Sequence, residues 1–463
     1  MPDTRAGWRL GVLSQMSLPS AGLSLKYRLR RAHPRRISLR RQLERLDRAD
    51  AGRIREFQER RLRHLVRVAA ARSPFYREYF RTSGIDPRSI RTVEDLGRLP
   101  LISRHELAER PDDFRTLPRW LMWSVHSSGT TGSPITCYRT ITSSVFELAV
   151  LERQWSWFGV SADSRRVVLR GSDFATGQRG RPTIAVPGAR QLLVSSYYLT
   201  PDRVDVIVAE IRRFRPAAIE GWPSSIALLA ALLRDRGLRI PVRAVITSSE
   251  MIAPGQRTLM QEVFDAPVVD HYGQTERVAM AGTCEAGGYH VFPAYGIVEL
   301  LPVEGSTERW EIVGTSLQNC GFPLLRYRTG DEVLPAAPGP CPCGRAFPLL
   351  GVVDGRVEDT FTAADGRPLP LPSSIVDDLS GLREAQVAQL RPGVFELRVV
   401  PGTGFSAART HAHARRNVAR LFGPGQELAL RVVERLPRPP SGKLKAAVVE
   451  STHPASDGKG SPC

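Results

Sequence analysis

Lysine is almost missing from this chain. Of its 65 basic residues only Lys26, Lys443, Lys445 and Lys459 are lysine; the rest are arginine, spread over most of the sequence. A formal net charge of +18 raises nucleic acid or an anionic membrane as partners. Arginine scattered so widely is compositional bias rather than a basic groove, so no specific nucleic-acid partner is expected. The one basic cluster, Arg28 to Arg67, is interrupted by Glu44, Asp47, Asp50, Glu56 and Glu59 and reads as a solvated helical face. Long apolar runs are also lacking. None approaches the roughly 18 residues of a membrane span, and Ile226 to Leu233 is short enough for a core helix, so no transmembrane segment is expected. Met1 to Lys26 lacks the charged, apolar, small-residue order of a secretory signal, and a cytoplasmic location follows by default. Six cysteines in 463 residues are too few for a disulfide scaffold. No Gly-Lys-Ser/Thr ending follows any glycine-rich loop, which excludes a Walker loop.

What remains is ordinary for a globular protein: 42% apolar and 24% charged residues, in a chain long enough for two or three domains. Residues 1–36 read as a basic N-terminal arm and 451–463 as a disordered tail. Leucines and arginines at helical spacing predict one long helix from Ile37 to Ala71. It stops at Arg72-Ser73-Pro74, where a short helix begins. Ser103 and Glu106 form a capping-box pair. Strand-like runs at Val167 to Leu169, Leu192 to Val194, Ala218 to Glu220 and Ala244 to Thr247 alternate with helices at Val204 to Phe214 and Ser224 to Arg236. Such alternation predicts an α/β domain whose ligands sit at strand carboxyl ends. Val298 to Leu301 and Trp310 to Val313 alternate more like antiparallel strands. Beyond Gly355, the strands Phe395 to Val400 and Leu428 to Val433 and the helix Ala407 to Leu421 suggest an α+β unit. The expected domains are therefore 37–354, large, and 355–450, small.

The chain is organised around Ser127-Ser128-Gly129-Thr130-Thr131-Gly132-Ser133-Pro134, almost all hydroxyl and glycine. It follows the aromatic-rich run Trp120 to Val125, expected as a buried strand. It precedes Ser144-Val145-Phe146-Glu147, whose spacing predicts a capping box opening a helix. Glycines let backbone N–H groups point inward and hydroxyls can donate to polyphosphate oxygens. Alone, such a run is more often a mobile surface turn, and its partners further along decide.

Those partners follow in order: Tyr272-Gly273-Gln274-Thr275-Glu276, Tyr327-Arg328-Thr329-Gly330-Asp331, Gly355-Arg356, and Pro437 with Gly442-Lys443 beyond it. The series resembles that of the adenylate-forming superfamily. Tyr76-Arg77-Glu78 with Gly84-Ile85-Asp86-Pro87, Glu220-Gly221-Trp222-Pro223-Ser224-Ser225, and Cys341-Pro342-Cys343-Gly344-Arg345 resemble its phenylacetate-CoA ligase branch and the capsule-biosynthesis-type relatives. The likeness covers about residues 37 to 450. It implies a large N-terminal adenylate-forming domain of mixed sheets and helices, a small mobile α+β C-terminal domain, and activation of a carboxylic acid by ATP. Ser127, Ser128, Gly129, Thr130, Thr131 and Gly132 then hold the β and γ phosphates, and Thr275 meets the α-phosphate. Glu276 is the carboxylate for Mg²⁺, a hard ion wanting oxygen ligands. Ser248, Ser249 and Glu250 form the adenine-side turn, Tyr272 with Gly273 faces the base, and Asp331 and Arg356 take the ribose. Lys443 is lysine where a compact charge on a flexible stem must enter a closed site. At the junction the family has Asp or Lys where this chain has Glu358, the expected hinge.

Cys284 and His290 with Cys341 and Cys343 supply three thiols and an imidazole, the ligand set of a closed structural zinc site; free thiols in a surface loop are the alternative. Tyr197, Tyr198, Trp222, Phe292 and Tyr295 are candidates for the acid pocket, which would favour an aromatic or long apolar acid. The expected reaction is carboxylate plus ATP to acyl-adenylate and pyrophosphate, then transfer to CoA. Transfer to an amine, a glycan hydroxyl or a carrier-protein thiol is the alternative, and a non-catalytic basic binding protein a third. Whether the chain forms a homodimer stays open.

Overall fold

The computed structural model describes residues 33–126, 135–170, 181–249, 252, 254–304, 307–336, 339–351, 353–354, 361–366, 368–369, 375–376, 379, 382–401, 404–434, 436 and 447–450. Contacts divide the chain into a large unit, Met1–Ser127 with Ile135–Val357, and a small one holding Glu358–Cys463.

The large unit opens with α1 (Arg35–Leu46) and α2 (Ala51–Arg72), two helices where periodicity alone predicts one. The break at Asp47 to Asp50 has two causes. Asp50 caps α2, accepting from Arg53 N at 2.8 Å. Asp47 turns inward to Arg153 and Trp157, at 3.1 and 3.2 Å. Ser73 then caps α3 (Pro74–Ser83), with Pro74 at its first position and Gly84 closing it at φ 67°. The Ser103 and Glu106 capping box opens α4 (Arg104–Glu109) as expected. The aromatic run departs from expectation: Arg119–Leu121 is a 3-10 turn with Trp120 81% exposed, and the strand β1 is only Trp123–His126. β2 (Thr136–Arg139) leads into α5 (Ile141–Ser156). Its box is Thr140 and Ser143, one turn ahead of the expected Ser144 and Glu147, because Thr140 is the residue still extended at the strand end.

The α/β alternation follows as β3 (Arg166–Arg170), β4 (Thr183–Val186), β5 (Gln191–Ser195), α6 (Val204–Phe214), β6 (Ala218–Gly221), α7 (Pro223–Arg234), β7 (Ala244–Ser248), α8 (Pro254–Phe264), β8 (Val268–Gly273), β9 (Met280–Thr283) and β10 (Tyr289–Val291). These strands form one sheet in the order β10-β9-β8-β7-β6-β3-β5-β4. The pairs β7·β8, β6·β7, β3·β6 and β3·β5 are parallel, so their carboxyl ends share one edge. Ile219, Val245, Ile226, Leu229 and Phe264 are closed between sheet and helices. A second sheet runs β11 (Gly296–Pro302), β12 (Trp310–Ser316), β13 (Tyr327–Val333), β14 (Val353–Asp354), all antiparallel.

The small unit carries β15 (Phe361–Thr362) paired with β16 (Pro368–Leu369), and the sheet β19-β18-β17-β20. Its strands are β17 (Leu382–Arg391), β18 (Val394–Pro401), β19 (Glu427–Val432) and β20 (Ala447–Val449), with α9 (Ala407–Phe422) between β18 and β19. Phe395 stacks on Phe361 and meets Phe422 of α9.

Candidate active site

β7 ends at Ser248, directly beside His271 of β8. Ser248 with Ser249, expected on the adenine side, and the Tyr272 motif therefore leave the sheet together, at the edge where open α/β sheets bind ligands. Ser249 has φ 74°, a left-handed conformation seldom adopted outside glycine and often found at functional turns.

The chain after β8 makes a tight turn, Arg277 N donating to Gln274 O at 3.1 Å, with Arg277 at φ 58°. Three side chains fix it from outside. Arg139 Nη2 donates to Thr275 O at 3.3 Å, Gln318 Nε2 to Arg277 O at 3.3 Å, and Arg277 is ion-paired with Glu147. Glu276 at its apex is only 9% exposed. Its Oε1 accepts from Tyr327 Oη at 2.9 Å and from Arg104 Nη1 at 3.3 Å. No partner of Oε2 is recorded among the described residues, so one oxygen is anchored and the other is available to a cation. That donor set fits Mg²⁺.

Asp331 reaches the same region from β13. Gly330 has φ 71° beside an irregularity in the β12·β13 register, which bends the strand at the Thr-Gly-Asp motif. Tyr272 Oη donates to Asp331 Oδ2 at 2.7 Å, and Gln274 Nε2 donates to Tyr272 Oη at 3.2 Å. Burial, and then the Asp331 charge, push the Tyr272 hydroxyl well above its ordinary pKa, so it stays a donor. The structure thus brings Ser248, Ser249, Tyr272, Gly273, Thr275, Glu276 and Asp331 onto one sheet edge and its facing strand. Ser127, Ser128, Gly129, Thr130, Thr131, Gly132, Glu250, Arg356, Glu358 and Lys443 lie outside the described residues. Arg104 and Arg139, which hold this turn, carry no motif of their own; only Ser103, the cap before Arg104, marks the place.

The family model for AMP-binding enzymes matches residues 24–339. The chain belongs to the AMP-binding enzyme family. This AMP-binding enzyme is 28% identical over 320 residues to phenylacetate-coenzyme A ligase of Thermus thermophilus, covering 66% of this chain and 71% of that one. It is 21% identical to Protein CapK of Staphylococcus aureus, over 60% and 62% of the two chains. In fold it is similar to 2-hydroxyisobutyryl-CoA ligase in complex with 2-HIB-AMP and CoA, with a TM-score of 0.58, 21% identity, and 88% and 92% of the chains covered.

A second constellation lies on the far strands of the large sheet. The ligand atoms of Cys284, His290, Cys341 and Cys343 all fall within 4.8 Å of one another. Cys284 Sγ lies 3.6 Å from Cys341 Sγ, and Cys343 Sγ 3.3 Å from His290 Nε2. Ligands on a tetrahedral zinc, at roughly 2.3 Å for sulfur and 2.0 Å for nitrogen, stand roughly 3.8 and 3.5 Å apart, so the spacing fits. His290 Nδ1 is 3.1 Å from Phe347 O, which can only accept; the proton is therefore on Nδ1 and Nε2 presents a lone pair. A Cβ on Gly288 would come within 2.7 Å of Cys341 Sγ, so this approach needs glycine. Cys284 and Cys341 are buried, 1% and 7% exposed, and Cys343 is partly exposed. Burial pushes the Cys284 thiol up to about 12, and a bound cation would favour its thiolate.

Of the acid-pocket candidates, Phe292 and Tyr295 are core residues, buried with Phe146 and Phe347. They line no cleft. No described helix is long and apolar enough to cross a membrane.

Proposed function

We propose that this protein is an AMP-forming acid–CoA ligase, acting in the cytoplasm on a carboxylic acid, ATP and CoA. A carboxylate oxygen attacks the α-phosphorus, the bond to the bridging oxygen breaks, and pyrophosphate leaves. The CoA sulfur then attacks the acyl carbon of the adenylate and AMP departs. The observation that carries this reading is Glu276, held through one oxygen at the apex of a turn beside the Tyr272–Asp331 pair. Charge builds on several oxygens at once in such a displacement, and fixed donors and cations aimed at them supply most of the catalysis. Ser127 to Gly132 hold the β and γ phosphates and Thr275 donates to the α-phosphate. Ser248, Ser249 and Glu250 border the adenine, Tyr272 and Gly273 present a face to it, and Asp331 and Arg356 accept and donate at the ribose. Glu276 offers Oε2 to Mg²⁺, which neutralises phosphate charge when bound. Lys443 is the cation where carboxylate, α-phosphate and leaving group meet, and rotation about Glu358 withdraws it before the thiol arrives. We further propose that Cys284, His290, Cys341 and Cys343 hold one structural zinc.

The test is acid-dependent pyrophosphate release, with hydroxamate trapping, across aromatic, aliphatic and hydroxy acids, with and without CoA. Release that needs an acid but not CoA, and thioester that needs both, support the reading. No ATP consumption with any acid would overturn it. The second reading for the acceptor is an amine, a glycan hydroxyl or a carrier-protein thiol. Adenylate that forms readily yet never passes to CoA selects it.

A further inference from the structure

Most described arginines between Arg35 and Arg67 face solvent, as expected, but Arg35, Arg61 and Arg67 also border an open cavity of about 580 Å³ between α1, α2 and the start of α5. That volume is in the range of small-molecule sites, roughly 300 to 1,000 Å³. Arg35, Arg61, Arg67, Arg72, His33 and His64 line it, and no described lining residue is Asp or Glu. On α2, Arg61, His64, Arg67 and Val68 recur at three- and four-residue steps, so one helical face delivers them together.

Arg61 is the informative member. It is half-buried, its guanidinium lies over the Phe57 ring at 5.7 Å, and no ion pair of it is recorded among the described residues. Burial holds its pKa below the ordinary arginine value, and the cations nearby, Arg60 and Arg35, only add repulsion. A half-buried cation facing like charges needs an anion from elsewhere. On the same helices Arg40 is paired with Glu44 and Arg55 with Glu59. The remaining wall mixes Val68, Leu117 and Phe146, which can cover an organic portion, with the polar Thr116, Thr140, Thr142 and Gln318.

We infer that this cavity binds a phosphate-bearing polyanion, through Arg61, Arg67 and their neighbours. The inference does not depend on the proposed ligase reaction, because no lining residue belongs to the ATP motifs. Cys320 lines the cavity and is half-buried, which gives a readout confined to it. The rate of Cys320 alkylation by iodoacetamide is measured by peptide mass spectrometry at fixed ionic strength. The probes are inorganic pyrophosphate and adenosine 3′,5′-bisphosphate. At ten times its dissociation constant, a bound anion should slow alkylation about elevenfold. Arg61→Gln/Arg67→Gln should abolish the protection, with an unchanged melting temperature showing that the fold is intact. Should that pair fail to fold, exposed Arg67→Gln alone must weaken protection. Preference for pyrophosphate marks a free anion, and preference for the bisphosphate a nucleotide-borne one. No protection by either, equal protection by sodium chloride at matched ionic strength, or protection that survives the substitutions overturns the inference.

Discussion

Removing the metal corner should separate its two halves. The cluster links Cys284 to Cys341, 57 residues apart in sequence. Treated as a cross-link, closing a loop of that length removes roughly 4 kcal/mol of freedom from the unfolded chain. Ligand bonds add to this, because no such site exists in the unfolded chain and binding free energy is then folding free energy. Freshly purified protein, never exposed to chelator, should contain about one zinc per chain by atomic emission. Cys341→Ser should lose it, and the melting temperature should fall on the order of 10 °C, from about 2 to 4 °C per kcal/mol for domains of this general size. A strong chelator should lower wild-type protein towards the same value and leave Cys341→Ser unmoved. Cys320→Ser, outside the cluster, should keep both zinc and stability. Wild-type protein free of metal, or Cys341→Ser as stable as wild type, refutes the cross-link.

Tyr327→Phe removes one of the two donors on Glu276 Oε1, and with it about 1.4 kcal/mol of a charge-assisted hydrogen bond. Acid-dependent pyrophosphate release should fall about tenfold and require more Mg²⁺, whereas an unchanged Mg²⁺ requirement would show that Tyr327 does not position Glu276. Lys443→Ala should cripple adenylate formation by about 10²- to 10³-fold yet still convert supplied acyl-adenylate and CoA to thioester; equal damage to both steps refutes the two-conformation mechanism. Asp47→Asn leaves Arg153, whose side chain is 1% exposed, without its carboxylate. Urea unfolding should show a loss of about 3 to 5 kcal/mol, largely recovered in Asp47→Asn/Arg153→Met, since an apolar replacement of a buried pair is tolerated. Loss within about 0.5 kcal/mol, the usual range of a surface change, would mean the pair is not effectively buried.

What was legible in the sequence was whatever has a short-range signature. The capping box at Ser103, the stop at Ser73-Pro74 and the β–α alternation each depend on neighbours a few residues apart, and each is in place. One failure involves long-range partners. A helical period runs unbroken through Asp47, and Arg153 and Trp157, more than a hundred residues on, turn that residue inward while Asp50 caps the next helix. Trp120 belongs to a run that is apolar by composition, but a 3-10 turn sets it outside, and composition carries no sign of which side a turn will face.

The same distinction explains the site. Motifs name the groups that touch a ligand, so Glu276 and Asp331 could be picked out, but not which oxygen of Glu276 is spent on the protein. That depends on Tyr327 and Arg104 converging on Oε1 from 51 and 172 residues away. A carboxylate gripped through one oxygen cannot rotate freely, so Oε2 points where the first places it. A carboxylate free at both oxygens would pay rotamer freedom on binding a cation, about 1.5 kcal/mol or somewhat more for a glutamate. Here the fold has already fixed the side chain, through residues that no ligand-binding motif contains. Arg61 carries the converse lesson: the periodicity of the α2 arginines was visible and most of them face water as expected, but that Arg61 is half-buried beside a cavity depended on where α1 and α5 pack.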